Sequence, residues 1–215
     1  MYKNMENKIE NNFVITIGRQ IGGGGLLVGK QLAEKLKINF YDKELLKVAA
    51  KESGICEEYF EGSDEKKKFD FLGRYFSLRS PVESDVWNSN SVLSGEKLFE
   101  IQSTIIKEIA ERESAVIVGR TAEYILRDYK NCTKIFVMAD FNDRIKRISE
   151  LKNISEKEAQ IYIEKNEKKR ADYYEYYTGK QWGDAKLFDL CINTSKIGME
   201  NTVEMIIQYI STNKK

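Results

Sequence analysis

Four consecutive glycines, Gly22 to Gly25, stand between the apolar segment 13–17 and the amphipathic segment 25–36. Glycine tolerates positive φ, so its amides can approach an anion closely, and a helix that begins there adds the positive end of its dipole. The pattern therefore predicts a phosphate-binding turn. A flexible connection between a strand and a helix is the alternative, although such a connection does not need four glycines, which lower local order.

The segment carries no dinucleotide-binding motif. The pattern G-x-G-x-x-G fails in every register, because its last position falls on Leu27 when it starts at Gly22 and on Val28 when it starts at Gly23. The sequence therefore argues against a nicotinamide dinucleotide site.

A literal phosphate-loop pattern, G-x-x-x-x-G-K, runs from Gly24 to Lys30, but Gln31 follows where Ser or Thr would hold magnesium. That register also conflicts with an apolar helix stripe at every fourth residue, formed by Val28, Leu32 and Leu36. We therefore expect the turn at residues 22–25 and the helix from near Gly25, with Lys30 already inside it.

Two cations flank the predicted turn. Arg19 ends the first apolar segment, and Lys30 follows one turn into the helix. Either side chain could neutralise a bound phosphate. An ion pair with a surface carboxylate is the alternative for Arg19, and a solvated position on the helix face is the alternative for Lys30.

The residue types exclude several kinds of chemistry. The chain contains no histidine, which removes Ser-His-Asp and Cys-His catalysis and histidine-metal ligation together. Its three cysteines, Cys56, Cys132 and Cys191, lie far apart without a C-x-x-C pair, so neither a zinc site nor a disulfide framework is expected. Catalysis would have to use carboxylates, cations, tyrosines, backbone amides and a hard metal ion.

A second group of cations lies in the second half of the chain. Arg144 and Arg147 stand three residues apart on one predicted helix face and could reach one anion, although a surface ion pair with Glu150 is the alternative. The segment 168–179 interleaves basic and aromatic residues, which could stack on a base or simply pack together.

Short apolar runs alternate with longer amphipathic segments, which is typical of βαβ units around a parallel sheet. The predicted strands are residues 13–17, 38–41, 115–118, 134–139 and 189–193. The predicted helices are residues 25–36, 43–53, 96–113, 121–129, 141–152, 155–177 and 198–211. Residues 61–95 show no steady period and are expected to form an irregular part of an insertion.

The chain has 215 residues and a net charge of +1. This length suits one α/β domain, and the near-neutral charge counts against a nucleic-acid or anionic-membrane partner. Its longest apolar runs are far too short to span a bilayer, and the first residues lack an apolar signal core. We therefore expect a cytoplasmic protein.

Several motifs together resemble the cytidylate kinase-like family of P-loop proteins. The matching segments, which leave only about 61–95 unmatched, are "ITIGRQIGGGGLLVGKQLAEKL", "NFYDKELL", "LFEIQSTIIKEIAERESAVIVGRTAEYILRD", "KIFVMADFNDRIKRI", "KKRADYYEYYTGKQWGDAKLFDLCINTS" and "ENTVEMI". The ordered series "IVGR", "WGD" and "DLCINTS" is the most specific part.

The resemblance implies a three-layer P-loop NTPase fold with a parallel five-stranded sheet. It implies a single domain over 1–215, with a helical acceptor-binding insertion at about 43–113 and a lid at about 150–182. It also implies phosphoryl transfer from ATP, with Mg²⁺, to a nucleoside monophosphate, most simply a cytidylate-type nucleotide.

The same resemblance implies roles for individual residues. Asp42, Gln102 and Arg120 would contact the acceptor nucleotide. The glycine turn with its flanking cations would bind the donor phosphates, and the lid arginines would act on the transferring group. The residues that would bind the donor phosphates are Arg19, Gly22, Gly23, Gly24, Gly25 and Lys30. The residues that would act on the transferring group are Arg144, Arg147 and Arg170.

The chain departs from the family pattern at the turn. Gly25 occupies the position of the phosphate-loop lysine, and Leu26 occupies that of the magnesium-binding Ser or Thr. Glu123 also stands where the family more often has Asp. A catalytically weak nucleotide- or phosphate-binding regulatory module is therefore an alternative to a kinase.

Overall fold

The computed structural model describes residues 12–42 and 95–213. Its strands are β1 (Val14–Arg19), β2 (Asn39–Tyr41), β3 (Ala115–Val118), β4 (Cys132–Met138) and β5 (Leu190–Asn193). Its α-helices are α1 (Gly25–Leu36), α2 (Gly95–Arg112), α3 (Ala122–Ile125), α4 (Phe141–Lys152), α5 (Glu156–Thr178), α6 (Thr194–Ile197) and α7 (Met199–Asn213), with a 3₁₀ turn at Ala185–Leu187.

The five strands form one parallel sheet in the order β2-β3-β1-β4-β5. The central strand β1 pairs with β3 from Val14 opposite Ala115 and with β4 from Val14 opposite Cys132. Continuous apolar runs such as Ala115–Val118 suit this arrangement, because helices cover both faces of a parallel sheet. The predicted five-stranded parallel sheet is confirmed.

In the described residues, the sheet carries a buried cluster on each face, because successive strand residues point to opposite sides, and a third, smaller cluster joins α4 to α5. On one face, Ile15 and Ile17 of β1 pack with Val28 of α1 and with α7. On the other face, Val14 packs with α2 and α3. These layers hold the carboxyl ends of β1 and β3 side by side, and ligands of open α/β sheets bind at that edge.

Helix α3 is shorter than the predicted helix 121–129. The residues before it, Gly119, Arg120 and Thr121, all have positive φ, at 77°, 64° and 53°. This left-handed turn after β3 delays the helix until Ala122. The predicted helix 43–53 and the irregular segment 61–95 lie outside the described residues, apart from Gly95 itself.

Helix α5 is the longest described helix. Its first turn is closed by a capping box, in which the Ser155 hydroxyl accepts from the Glu158 amide and the Glu158 carboxylate accepts from the Ser155 amide. Gly179, at φ 63°, ends it. In the part of the chain that the structure covers, no helix is both long enough and apolar enough to cross a membrane.

Candidate active site at the carboxyl edge of the sheet

The glycine turn connects β1 to α1 in the predicted register. Gly22 and Gly24 have φ values of 74° and 85°, and α1 begins at Gly25. The Val28 amide donates to the Gly24 carbonyl at 3.0 Å, which closes the first turn of the helix. The amides at the start of α1 therefore face the carboxyl edge of the sheet, where an anion would meet the positive end of the helix dipole.

Close packing also requires glycine in this turn. A Cβ on Gly22 would lie 2.8 Å from the Arg144 carbonyl oxygen. A Cβ on Gly25 would lie 2.6 Å from the Cβ of Arg19. Arg19 therefore occupies space that the side chain of a phosphate-loop lysine at position 25 would need.

Side chains from two helices, α4 and α6, hold the carbonyl groups of Ile21, Gly22 and Gly23. Arg144 Nε donates to the Ile21 carbonyl at 2.8 Å, and Arg147 donates to the Gly22 carbonyl. The Thr194 hydroxyl donates to the Gly23 carbonyl at 3.0 Å. These bonds turn the carbonyl oxygens toward the protein, so they do not face an incoming phosphate.

Arg144 does not form a surface ion pair with a residue such as Glu150, which was the alternative that the sequence left open for Arg144 and Arg147. Its side chain is only 6% exposed, and its guanidinium contacts the Glu167 carboxylate of α5 at 2.6 Å. The pair forms because α4 and α5 pack together, a contact that spacing within α4 could not reveal. Both Arg144 and Arg147 contact the turn itself.

Beside the turn lies a crevice of about 60 Å³. It is bounded by β1, the left-handed turn after β3, the second half of α5 and the segment that leads to β5. The side chains that define its chemistry are three arginines, one carboxyl group and two aromatic rings: Arg19, Arg120, Arg170, Glu123, Tyr174 and Trp182.

The arginines of the crevice crowd one another. The Arg19 guanidinium lies so close to Gly119 that a Cβ there would be 1.6 Å from its Nη1. Burial, together with the positive charges of Arg170 and Arg120, lowers the pKa of Arg19 well below its ordinary value. Burial likewise lowers the pKa of Arg170 to about 10. Such a concentration of positive charge is suited to binding an anion.

Arg170 also connects α5 to the turn. It donates to the Arg19 carbonyl, and its guanidinium lies 5.7 Å from the centroid of the Trp182 ring. Trp182 in turn packs edge-on against Phe136 of β4, with ring centroids 5.0 Å apart. Trp182 of the "WGD" motif thus places an aromatic ring against the Arg170 guanidinium.

Glu123 also belongs to the candidate site, although in the sequence it stood out only as a departure from the family pattern. It is 5% exposed and lines the crevice. Burial raises its pKa to about 7, although a hydrogen bond from Tyr174 and the charge of Arg19 favour the ionised form. The signal that could have found it is a lone carboxylate between the buried apolar residues Ala122 and Ile125.

The three predicted acceptor contacts lie near one another. Gln102 of α2 is 1% exposed and donates from Nε2 to the Arg120 carbonyl at 2.9 Å. Arg120 lines the crevice, and Asp42, just after β2, lies near enough to Arg19 for its charge to offset a small part of the lowering of the Arg19 pKa that burial causes. The ends of β2 and β3 therefore bring Asp42, Gln102 and Arg120 to the same edge as the glycine turn.

Lys30 lies away from this group. Its side chain is on the exposed face of α1, with Nζ 5.9 Å from the centroid of the Phe40 ring. Lys30 does not line the crevice. Of the two flanking cations, Arg19 is therefore the one that the fold places at the turn.

The turn offers no ligand for magnesium, because Leu26, at the Ser or Thr position, is an apolar side chain that is 44% exposed. Within residues 12–42 and 95–213, no group of three or more His, Cys, Asp or Glu side chains could hold a metal ion. The described residues therefore provide no ready-made cage of protein ligands for Mg²⁺.

Comparison with known proteins agrees with this architecture. The model of the cytidylate kinase-like family matches residues 14–196. The chain belongs to the cytidylate kinase-like family. A cytidylate kinase of Saccharolobus islandicus (strain L.S.2.15 / Lassen #1) is 29% identical over 150 residues, which cover 67% of this chain and 78% of that kinase. A cytidylate kinase of Staphylothermus marinus is 37% identical over 106 residues, covering 48% and 58%.

Solved structures show the same fold for this member of the cytidylate kinase-like family. An uncharacterized protein from Eubacterium ventriosum ATCC 27560 has a TM-score of 0.70 at 31% identity, covering 94% of this chain and 100% of that one. Shikimate kinase from Acinetobacter baumannii, solved with shikimate, has a TM-score of 0.53 at 15% identity, covering 100% and 99%. The predicted P-loop kinase fold is confirmed.

Proposed function

We propose that this protein transfers a phosphoryl group from ATP to a nucleoside monophosphate, with a cytidylate-type nucleotide as the acceptor. The observation that carries the proposal is that Arg19, which lines the crevice with Arg120 and Arg170, also packs against Gly25 of the glycine turn. One side can hold a donor phosphate and the other an acceptor phosphate, so the reacting groups would meet between them. Family membership supports the same assignment.

On the donor side, the phosphates of ATP would bind at Gly22 to Gly25 and the start of α1. Backbone amides and the helix dipole supply the attraction there, since the lysine of the usual loop is absent. Arg19 supplies the missing charge, because its side chain lies across Gly25. The geometry of the turn fits phosphate without a further cation from α1.

On the acceptor side, Arg120 would bind the acceptor phosphate, while Asp42 and Gln102 would contact the nucleoside. The insertion at 43–113 would complete this pocket, and the lid at 150–182 would carry Arg170 toward the transferring group. Arg144 and Arg147 act through the turn, since their guanidinium groups bind its carbonyl oxygens.

The chemical step needs positioning and charge neutralisation more than covalent help from the protein. An oxygen of the acceptor phosphate forms a bond to the γ-phosphorus of ATP, and the bond from that phosphorus to the β,γ-bridging oxygen breaks, releasing ADP. The three arginines would neutralise the negative charge that spreads over the transferring group. Histidine is not required.

A direct assay tests this proposal. The purified protein is incubated with Mg-ATP and one of CMP, UMP, dCMP, AMP or GMP, and phosphorus NMR follows ATP loss and diphosphate formation together. We expect formation of a diphosphate at about 1 s⁻¹ or faster, within the range of kinases. An Arg120→Ala variant should lose most of this turnover, and Lys30→Ala, which changes an exposed residue outside the crevice, should keep it.

A second candidate function follows from Gly25 and Leu26, which replace the usual phosphate-loop lysine and hydroxyl. The protein would then bind nucleotide or phosphate as a regulatory module with little catalysis. Folded protein that binds ATP but forms no diphosphate with any of the five acceptors would support this function and contradict the kinase proposal.

A further inference from the structure

The carboxylate of Glu167 contacts the glycine turn from helix α5. Its Oε1 accepts a hydrogen bond from the Ile21 amide at 3.0 Å, and its Oε2 lies 2.6 Å from a guanidinium nitrogen of Arg144. The Glu167 side chain is 26% exposed, whereas that of Arg144 is 6% exposed. The carboxylate therefore uses both oxygens, one on the backbone of the turn and one on a buried cation.

The contacts of Glu167 and Arg144 meet at one residue, Ile21. Arg144 Nε donates to the Ile21 carbonyl at 2.8 Å, so Arg144 holds the carbonyl while Glu167 holds the amide. Both polar backbone groups of Ile21 are thus fixed by side chains from two different helices. Ile21 is the residue directly before Gly22, where the chain enters its first positive φ.

The turn needs such support. A run of glycines loses more conformational freedom on ordering than any other sequence of the same length, so its ordered form is costly unless neighbouring groups hold it. A phosphate loop with a lysine gains attraction from that charge. This loop has no lysine of its own, so it depends more on how its amides are arranged, and any error in their positions weakens their contacts with phosphate.

We propose that Glu167 is a positioning residue that holds the glycine turn ready for phosphate through Ile21 and Arg144. The proposal rests on the proposed function only for its role in catalysis, because the binding of a phosphate group by the turn can be measured separately. Glu167 does not touch the donor. It acts through the backbone of the turn, and α5 thereby sets the shape of the donor site.

A purely structural role for the pair is the competing explanation, in which Glu167 and Arg144 only join α4 to α5. That role predicts a loss of stability when Glu167 is changed, with unaltered affinity for phosphate in the fraction that stays folded. A positioning role predicts a local change at Ile21 and weaker phosphate binding in protein that is still folded.

The experiment compares Glu167→Gln and Glu167→Ala with a matched control, Glu164→Gln. Glu164 lies three residues earlier on α5, is exposed, and accepts a hydrogen bond from Gln160 of the same helix. Glu167→Gln keeps an acceptor for the Ile21 amide but removes the charge opposite Arg144. Glu167→Ala removes both contacts.

The first readout is amide hydrogen exchange of Ile21, measured against core amides of β1. In the unaltered, ligand-free protein we expect the Ile21 amide to be protected. In Glu167→Ala its exchange should be about tenfold faster or more while the β1 amides are unchanged. An unprotected Ile21 amide in the unaltered protein would overturn the proposal without any variant.

The second readout is the affinity for inorganic pyrophosphate, measured by calorimetry on folded protein. Loss of a charge-assisted contact should weaken binding by about tenfold in Glu167→Ala, with a smaller loss in Glu167→Gln and none in Glu164→Gln. Equal pyrophosphate affinity in all four proteins would overturn the proposal, whatever their melting temperatures.

The third readout separates this proposal from the proposed function. In the transfer assay, Glu167→Ala should raise KM for ATP more than it changes kcat or KM for the acceptor. A fall in kcat alone would indicate a smaller active fraction and contradict positioning. If the unaltered protein shows no transfer at all, the proposed function fails, while the exchange and pyrophosphate results still decide the role of Glu167.

Discussion

Arg19 lies across Gly25, so that a Cβ on Gly25 would be only 2.6 Å from the Cβ of Arg19. The guanidinium then reaches Gly119, at the end of the neighbouring strand β3. The residue that ends β1 therefore lies between the glycine turn and the end of β3. In the usual loop, a lysine at the position of Gly25 would need part of this space.

Arg19→Ala should abolish the protection that phosphate or nucleotide gives the protein against heat. The reason is that Arg19 is the flanking cation at the turn, whereas Lys30 is exposed over Phe40. If the protein is a kinase, turnover should also fall by roughly a hundred- to thousandfold, the usual effect of losing one preorganised donor. Thermal denaturation with and without pyrophosphate or ATP measures the effect.

The matched control for that experiment is Lys30→Ala, which removes a cation of the same charge one turn into α1. It should keep nearly all of the ligand-dependent rise in melting temperature. Equal small losses in the two variants would mean that Arg19 does not replace the missing lysine.

Gly25→Lys should fail to improve the protein, although it restores the usual phosphate-loop residue. Its Cβ would collide with Arg19, and accommodating that overlap should cost about 1–3 kcal/mol of unfolding free energy. Chemical denaturation measures this loss. The double variant Arg19→Ala with Gly25→Lys should regain stability and phosphate binding relative to Gly25→Lys alone, because the space is then free. A single Gly25→Lys variant that is stable and binds ATP more tightly would contradict the close packing of Arg19 on Gly25.

Glu123 should make stability depend on pH between about 4.5 and 7. Burial raises the folded-state pKa of this carboxyl from 4.5 to about 7, so in this window the folded protein holds a proton that the unfolded chain has released. The contribution of Glu123 to the unfolding free energy is fully present below pH 4.5. It falls as pH rises toward 7, by roughly 3 kcal/mol at most.

Comparison with Glu123→Gln isolates this effect, because glutamine keeps the shape and does not titrate. Urea denaturation at a series of pH values should show that the difference in unfolding free energy between the two proteins changes across the window, with the variant gaining relative stability as pH rises. Other carboxyl groups, such as the Asp140 side chain beside Lys196, titrate alike in both proteins. A difference that stays constant with pH would show that Glu123 is not held protonated by its surroundings.

The sequence predicted the sheet because its central strands β1 and β3 are short apolar runs buried on both faces, which leave a strong local signal. It also predicted where α1 begins, since the stripe of Val28, Leu32 and Leu36 left one register for the turn. The family motifs supplied the rest of the architecture, which composition and periodicity alone would not have distinguished from other α/β folds.

The sequence could not predict contacts that depend on how helices pack. The pairing of Arg144 with Glu167 joins residues on two helices, and sequence spacing suggested Glu150 instead. Helix α3 was predicted to begin one residue too early, because the left-handed residues before it include Arg and Thr, which give no strong local signal for that conformation. It also ends at Ile125, before the predicted end at residue 129. Lys30 looked like a plausible phosphate ligand in sequence, but the rotation of α1 turns it outward.

The left-handed run of Gly119, Arg120 and Thr121 has a consequence for how the protein tolerates change. Only the first of these residues is a glycine, so the other two hold a conformation that costs on the order of 1 kcal/mol each. Glycine in place of Thr121 would relieve that cost but would also remove the hydroxyl that donates to the Arg120 carbonyl at 2.5 Å. A substitution that stabilises this turn would therefore also remove a contact that holds Arg120 at the crevice.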